Sequence, residues 1–184
     1  MEATKGDVMA ARQVVSPTTT WVLYGLVVLT RAASIAWAAA RLPDRVASHF
    51  GASGSANGWM SRDGYIAFEI GMSALVLLGL PMLSMLANGS GTGVNIPHKD
   101  YWFQPENRAE LRRLLTGDML FLAGATGVLL TWLTVSVVHA NEQPDPSLDT
   151  GSLAVVGVFV LLVVARSIWM ATVRYRVPTR AAEF

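Results

Sequence analysis

The stretch WVLYGLVVLTRAASIAWAAAR, residues 21–41, decides what kind of fold this chain adopts. Before its final arginine it carries one charged residue, Arg31, and a helix of this length crosses the ~30 Å hydrocarbon core of a bilayer. Its apolar run exceeds the ~7–15 residues of a signal-peptide core and follows a polar tail, residues 1–20, so we expect no cleavage. The stretch therefore predicts a transmembrane helix.

Three more apolar blocks follow, at residues 65–87, 115–138 and 152–174. They lack the polar stripe that core helices of a soluble bundle show on a 3.6-residue period. The charged fraction is 15%, against about 25% in soluble domains. The sequence thus predicts an all-α, four-helix transmembrane bundle over residues 21–174, between tails 1–20 and 175–184.

The distribution of Lys and Arg predicts the orientation of the bundle. With four spans, both tails and the second loop share one side of the membrane, and they hold nine of these residues when Arg174, at the end of the fourth block, is counted with the C-terminal tail. The opposite side holds three: Arg41, Arg45 and Arg62. Cytoplasmic loops are enriched in positive residues, so we expect both termini in the cytoplasm and loops 42–64 and 139–151 outside. Loop 139–151 is polar, contains two prolines and reads as a plain turn.

Composition also excludes several classes of protein. The chain has no cysteine, which excludes disulfides and thiolate metal sites. A net charge of +1 argues against a nucleic-acid partner. No paired carboxylates or metal-ligand spacings occur, so we expect no enzyme activity, no cofactor and no metal.

Four ionisable residues lie inside the predicted spans: Arg31, Glu69, Asp118 and Arg166. An unpaired charge there costs at least ~2.5–3.5 kcal/mol, which favours the pairs Arg31 with Glu69 and Arg166 with Asp118. Such pairs either lock the register of the helices or, for Arg31 and Glu69, line a polar cavity that opens outward to a ligand or proton.

Loop 42–64 is predicted to be an ordered cap on the outer mouth of the bundle. Val46 and Phe50 have the spacing of one face of a short helical turn. Asn57 followed by glycine is a strong turn signal, and Ser61 is placed to cap the next helix.

Two side chains of this loop are chemical candidates. Trp59 is expected at the membrane–water boundary, where indoles accumulate. His49 is either a hydrogen-bond partner of the loop backbone or a pH-sensitive switch, a general base or, less favoured without a second nearby histidine, a metal ligand with Asp44 or Asp63.

Loop 94–114 is predicted to be an ordered, amphipathic inner segment. Leu111, Leu114 and Leu115 alternate with arginines, which suits a helical turn at a membrane surface. Its candidate contacts to a partner or to lipid headgroups are Asn95, Pro97, Tyr101, Trp102, Arg108, Arg112 and Arg113.

Two features concern packing inside the membrane. Ala32, Ala36 and Ala40 form a small-residue face suited to close helix contact, within the bundle or between protomers. Pro81 removes a backbone hydrogen bond from span two and is expected to kink it.

The two motif loops resemble a known family. Leu42, Pro43, Val46, His49, Phe50, Gly54 and the run Asn57-Gly58-Trp59 are similar to the bacterial membrane domain of unknown function 1648, and the run from Asn95 to Trp102 is similar to a second segment of that family. The resemblance covers roughly residues 25–120. It implies a relation to the N-terminal domain of the immunity proteins that protect sporulating bacilli from the secreted Sdp peptide toxin. The second domain of those proteins is not recognisable here.

The resemblance and the motif loops together favour a non-enzymatic protein of the bacterial plasma membrane that binds a ligand, confers immunity or senses. A peptide toxin or a cytoplasmic regulator is then its expected partner. The alternative is a structural or accessory subunit of a transporter or other membrane complex. The candidate ligand-binding residues are His49, Phe50, Asn57, Trp59, Arg31 and Glu69.

Overall fold

The computed structural model describes residues 16–85 and 94–177. It contains four helices that are long and apolar enough to cross a membrane, which confirms the predicted bundle. Most of both predicted tails, the last two residues of the second predicted block and the loop at residues 88–93 lie outside the described residues. Spans one to four are Pro17–Arg41, Arg62–Leu83, Arg108–Asn141 and Thr150–Arg174.

Short polar side chains begin three of the spans. Ser16 accepts a hydrogen bond from the Thr19 amide at 3.1 Å, and Ser61 accepts one from the Gly64 amide at 3.1 Å, as predicted. Asp149 accepts one from the Ser152 amide at 2.8 Å. Each cap satisfies an amide that the first helical turn leaves without a partner.

Span two is interrupted by a π-helical turn, Leu75–Gly79, just before Pro81. Because proline has no amide hydrogen, the carbonyl of Leu77, four residues earlier, loses its α-helical donor. The hydroxyl of Tyr24 in span one donates to that carbonyl. The irregularity expected at Pro81 therefore takes the form of a π-helical turn. Span one satisfies the Leu77 carbonyl that the proline leaves without a donor.

The loop between spans one and two is an antiparallel hairpin of β1, Arg45–Phe50, and β2, Ala56–Ser61. The prediction of a helical turn through Val46 and Phe50 is wrong. Val46 is fully buried, in a cluster with Leu42 and Tyr65 that also includes residues of span three. In the strand conformation the Val46 side chain points into this cluster, while β2 stays exposed. A helical turn would use the backbone groups of β1 within the helix, so they could not pair with β2.

The reversal of the hairpin lies at residues 51–55, so the prediction of a turn at Asn57 is also wrong. Gly54 has a φ of +82°, and its carbonyl accepts from the Leu148 amide at 2.9 Å. Ser55 forms a β-bridge with Ser147. The loop between spans three and four is thus not a plain turn, because it pairs with the hairpin; we call the hairpin and residues 142–149 the cap.

Replacing Gly54 with alanine is expected to detach the two parts of the cap. An added Cβ would collide with the Leu148 carbonyl oxygen, and φ is in the left-handed region, so we expect a cost of about 1–3 kcal/mol. Hydrogen exchange at the Ala56 and Leu148 amides measures the loss. Gly25→Ala is the control, since nothing lies within 4 Å of its added Cβ; equal exchange in both variants would contradict the prediction.

Span three is the centre of the bundle and packs against each of the other spans. Gly127 lets span one and span two approach closely, because an added Cβ would lie 2.8 Å from Val27 and 3.1 Å from Leu77. Span one turns Arg31, Ser34 and Ala38 inward. Its small-residue face of Ala32, Ala36 and Ala40 is exposed, so that face does not pack within the described bundle.

The opposite end of the bundle, which we call the base, is built by residues 94–107 and the end of span four. A short helix, Lys99–Trp102, follows His98, whose φ is +55°. Trp102 is buried in a cluster with Tyr175 and the three leucines predicted to form the apolar side of the inner segment: Leu111, Leu114 and Leu115. That amphipathic character is confirmed, but residues 108–114 continue directly into span three instead of forming a separate lead-in.

Candidate functional site

A buried network surrounds Arg31 about 10–15 Å below the cap end of the bundle. The guanidinium donates from Nε to the Ser73 hydroxyl at 2.9 Å and from Nη1 to the Leu130 carbonyl at 3.0 Å and the Thr134 hydroxyl at 2.6 Å. Its Nη2 donates to Glu69 in an ion pair. The predicted pairing is therefore present, and it joins spans one, two and three.

The internal partners of Arg31 and Glu69 favour a structural role for this ion pair. Arg31 is 1% exposed and Glu69 7% exposed. Thr134 lies 2.9 Å from the same Glu69 carboxylate oxygen and is itself fully buried. Because the charges are satisfied internally and closed off from solvent, the geometry fits a register lock better than an outward-opening cavity.

A second buried network centres on Asp118, roughly 24 Å from Thr134 along span three. Arg166 pairs with one carboxylate oxygen, as predicted. Arg174 Nε donates to Oδ2 at 2.9 Å and lies 2.8 Å from Oδ1, and the Tyr175 hydroxyl donates to Oδ2 at 2.7 Å. One fully buried carboxylate thus holds the end of span four against span three.

Aromatic rings complete this second network. The Arg166 guanidinium lies 4.6 Å from the Phe121 ring centre and 4.5 Å from that of Trp169. Trp102 donates from its indole nitrogen to the Tyr175 carbonyl at 3.0 Å. Burial raises the pKa of the Tyr175 phenol, and the charge of Asp118 raises it further, so the hydroxyl stays protonated as a donor to Asp118.

The cap carries most of the candidate ligand-binding residues. The His49 ring nitrogen Nδ1 lies 2.5 Å from the Asn57 side-chain oxygen, which orients the imidazole. Trp59 is 47% exposed, with the Arg45 guanidinium 5.2 Å from its ring centre. Phe50 is half-buried against the cluster around Val46 and contributes less to the surface. The structure therefore groups His49, Asn57 and Trp59 on the hairpin and separates them from buried Arg31 and Glu69.

Asn141, at the end of span three, clamps the cap onto the bundle. Its side-chain oxygen accepts from the Ala47 amide at 2.8 Å, and its side-chain nitrogen donates to the Ala47 carbonyl at 3.0 Å. No local sequence pattern marks this residue, because its partner lies 94 positions away.

Replacing Asn141 with leucine is expected to loosen the cap without unfolding the spans. The change leaves the Ala47 amide and carbonyl without partners in a buried position, at a cost of about 1–3 kcal/mol. Hydrogen exchange at the Ala47 amide then accelerates. Asn95→Leu, at an exposed position of the base, is the control, and unchanged Ala47 exchange in Asn141→Leu would contradict the role of the clamp.

The candidate contact residues at the base differ in how exposed their side chains are. Asn95, Arg108 and Arg112 are exposed, and Pro97 and Tyr101 are half-buried. Trp102 is 2% exposed, so its side chain serves the packing of the base. Arg113 is held by Glu110 through two hydrogen bonds of 2.8 and 2.5 Å. Of these candidate contacts, Asn95, Arg108 and Arg112 are the exposed ones.

Over the described ranges 16–85 and 94–177, no group of three histidine, aspartate or glutamate side chains is arranged to hold a metal ion. The clamped hairpin presents an oriented imidazole, an amide and an exposed indole.

Four apolar spans joined by two buried ionic networks define a multi-pass membrane protein. Residues 25–70 match the family model described as Domain of unknown function (DUF1648), a match that supports membership of that family. The match includes most of span one, the hairpin and the start of span two; the second motif, residues 95–102, lies outside it. No curated protein and no solved structure matches the chain.

Proposed function

We propose that this protein is a non-enzymatic protein of the bacterial plasma membrane that binds a peptide or another membrane-active ligand at its cap, in an immunity or sensing role. The observation that carries the proposal is a rigidly held hairpin with an exposed indole. Asn141 and the bridge between Ser55 and Ser147 fix the hairpin, while Trp59 is 47% exposed. Exposed aromatic anchors on rigid elements are typical of recognition surfaces.

The charges at the two ends support an outward cap. At the base, the described residues include six Lys and Arg: Lys99, Arg108, Arg112, Arg113, Arg174 and Arg176. At the cap, Arg41 pairs with Glu142 at 3.1 Å and Arg62 with Asp44 at 3.3 Å. Because positive residues favour the cytoplasmic side, the base and both termini are assigned to the cytoplasm.

A deletion strain tests the proposal. Loss of the gene should raise sensitivity to at least one membrane-active peptide, or alter a transcript that responds to it. The wild-type gene restores the response, and Trp59→Ala weakens it by at least about tenfold, as for an aromatic hot spot. Trp132→Ala is the matched control, because this tryptophan is 44% exposed but lies on span three. A deletion without either phenotype, or equal complementation by both variants, would refute the proposal.

An accessory role in a membrane complex is the second candidate. It is favoured by the exposed face of Ala32, Ala36 and Ala40, which is suited to close contact with another transmembrane helix. Purification in mild detergent separates the two functions: a stoichiometric partner protein would support the accessory role, whereas a protein purified alone and stabilised by peptide would support ligand binding.

A further inference from the structure

The outer edge of β2 has backbone groups that point away from the hairpin. In an antiparallel pair, residues opposite each other either bond to one another or both point outward. Ala47 lies opposite Trp59, and Asn141 occupies the Ala47 amide and carbonyl. The amide and carbonyl of Trp59 therefore face the other edge, away from β1.

The protein already uses part of this edge to bind an extended segment. Ala56 is paired with Phe50 on one side, and on the other side its amide donates to the Pro146 carbonyl at 3.1 Å. Leu148 donates to Gly54 at 2.9 Å. Residues 146–148 thus lie along the start of β2 through a single β-bridge and do not reach the rest of the strand.

Beyond Ala56 the edge is exposed. Asn57, Trp59, Met60 and Ser61 are all exposed, and an open depression of ≈ 360 Å³ lies at this end of the hairpin. It is lined by Asp44, Arg45, Trp59, Met60 and Ser61. An unpaired strand edge beside such a depression offers a template for another extended chain.

The charge of the two loops at the cap end of the bundle indicates which kind of extended chain would bind there. Residues 41–64 and 139–151 contain three arginines and five carboxylates, a net charge of −2 with neutral histidines. A second copy would bring the same negative charge to the edge, whereas a cationic segment complements it. The described residues next to the segments that are not described lie at the base end of the spans: Ser16, Met85, Val94 and Val177.

We propose that the free edge of β2 binds an extended cationic peptide as an added strand that continues the line of residues 146–148. This inference rests on the proposed function and names its ligand class and binding mode. Backbone hydrogen bonds to Trp59 and Ser61 provide the pairing, and the side chain opposite Trp59 lies beside the exposed indole.

Binding of labelled octapeptides to the full chain in nanodiscs of neutral lipid tests the pairing, with empty nanodiscs as the blank. The probe is an alternating lysine–valine peptide. One comparison peptide has the same side chains with every backbone nitrogen methylated, and the other replaces lysine with glutamate. We expect both comparison peptides to bind at least about tenfold more weakly, because the first cannot donate backbone hydrogen bonds and the second has the wrong charge.

Two variants at position 59 distinguish the contribution of the backbone amide to peptide binding from that of the indole side chain. Trp59→Pro removes the outward amide together with the indole, and proline is tolerated where a strand amide faces outward. Trp59→Val removes only the indole. The proline variant should bind the lysine–valine peptide at least about tenfold more weakly than the valine variant. The Trp59 comparison is made on samples whose β1–β2 amides exchange as slowly as in the wild type.

Several results would overturn the inference: no binding of the lysine–valine peptide, equal binding of the methylated peptide, or equal affinity of the two Trp59 variants. Dimerisation that Trp59→Pro abolishes would assign the edge to a second copy instead. If the methylated peptide binds equally while Trp59→Ala still fails to complement the deletion, strand pairing fails and the proposed function stands. If Trp59→Ala and Trp132→Ala complement equally, the proposed function itself fails.

Discussion

Replacing Arg31 with leucine is expected to destabilise the bundle by about 3–5 kcal/mol, because Glu69 is left charged and buried without its partner. The same change removes the donors to Ser73, Leu130 and Thr134. Denaturant unfolding of the purified protein in detergent measures the loss. Removing both charges in Arg31→Leu/Glu69→Leu should restore most of the stability, since apolar replacement of a buried pair is often neutral or favourable.

Arg41→Leu is the matched control for this experiment. Arg41 pairs with Glu142 at 3.1 Å, but the two side chains are 56% and 45% exposed. Such a pair contributes only about 0–1 kcal/mol. Similar small losses in Arg31→Leu and Arg41→Leu would contradict the register lock, and an Arg31→Leu protein that folds normally but loses its ligand response would support the cavity interpretation.

Replacing Asp118 with alanine is expected to detach the base end of span four. The carboxylate is 0% exposed and holds Arg166, Arg174 and the Tyr175 hydroxyl. Without it the Arg166 guanidinium loses its ion pair, and Arg174 and the Tyr175 hydroxyl lose their shared buried acceptor, at a cost of about 3–5 kcal/mol. Hydrogen exchange over residues 166–175 and denaturant unfolding both report the change.

Glu110→Ala is the control at the same end of the protein. Glu110 binds Arg113 within one helix, at the (i, i+3) spacing, where a pair contributes only about 0.2–0.5 kcal/mol. If Asp118→Ala and Glu110→Ala unfold at the same denaturant concentration, Asp118 does not anchor span four.

The spans and the buried pairs could be predicted from the sequence because the bilayer imposes simple constraints. A span needs about 20 apolar residues, and a charge within it needs a partner, which led directly to Arg31 with Glu69 and Arg166 with Asp118. Arg174 ends the fourth apolar block, so its position in the sequence indicates only that it lies on the cytoplasmic side. In the structure it completes the network around Asp118.

The cap was predicted as an ordered unit but with the wrong secondary structure. The four-residue spacing of Val46 and Phe50 suits a helix, and only pairing with β2 makes this segment a strand. Asn57 carries the stronger local turn signal, yet the chain reverses at Gly54, where Leu148 pairs with the backbone. Asn141 and Leu148 lie about 90 residues away from their partners in the hairpin, so no local pattern predicts them.

Labelling of single cysteines in intact cells tests most directly whether the cap faces outward to meet a ligand. The natural chain has no cysteine, so Ser53→Cys in the cap and Ala109→Cys at the base each carry one thiol. Both positions are exposed. A membrane-impermeant maleimide should label position 53 in intact cells and position 109 only after permeabilisation. Labelling of position 109 but not position 53 in intact cells would place the cap in the cytoplasm and contradict the proposed ligand site.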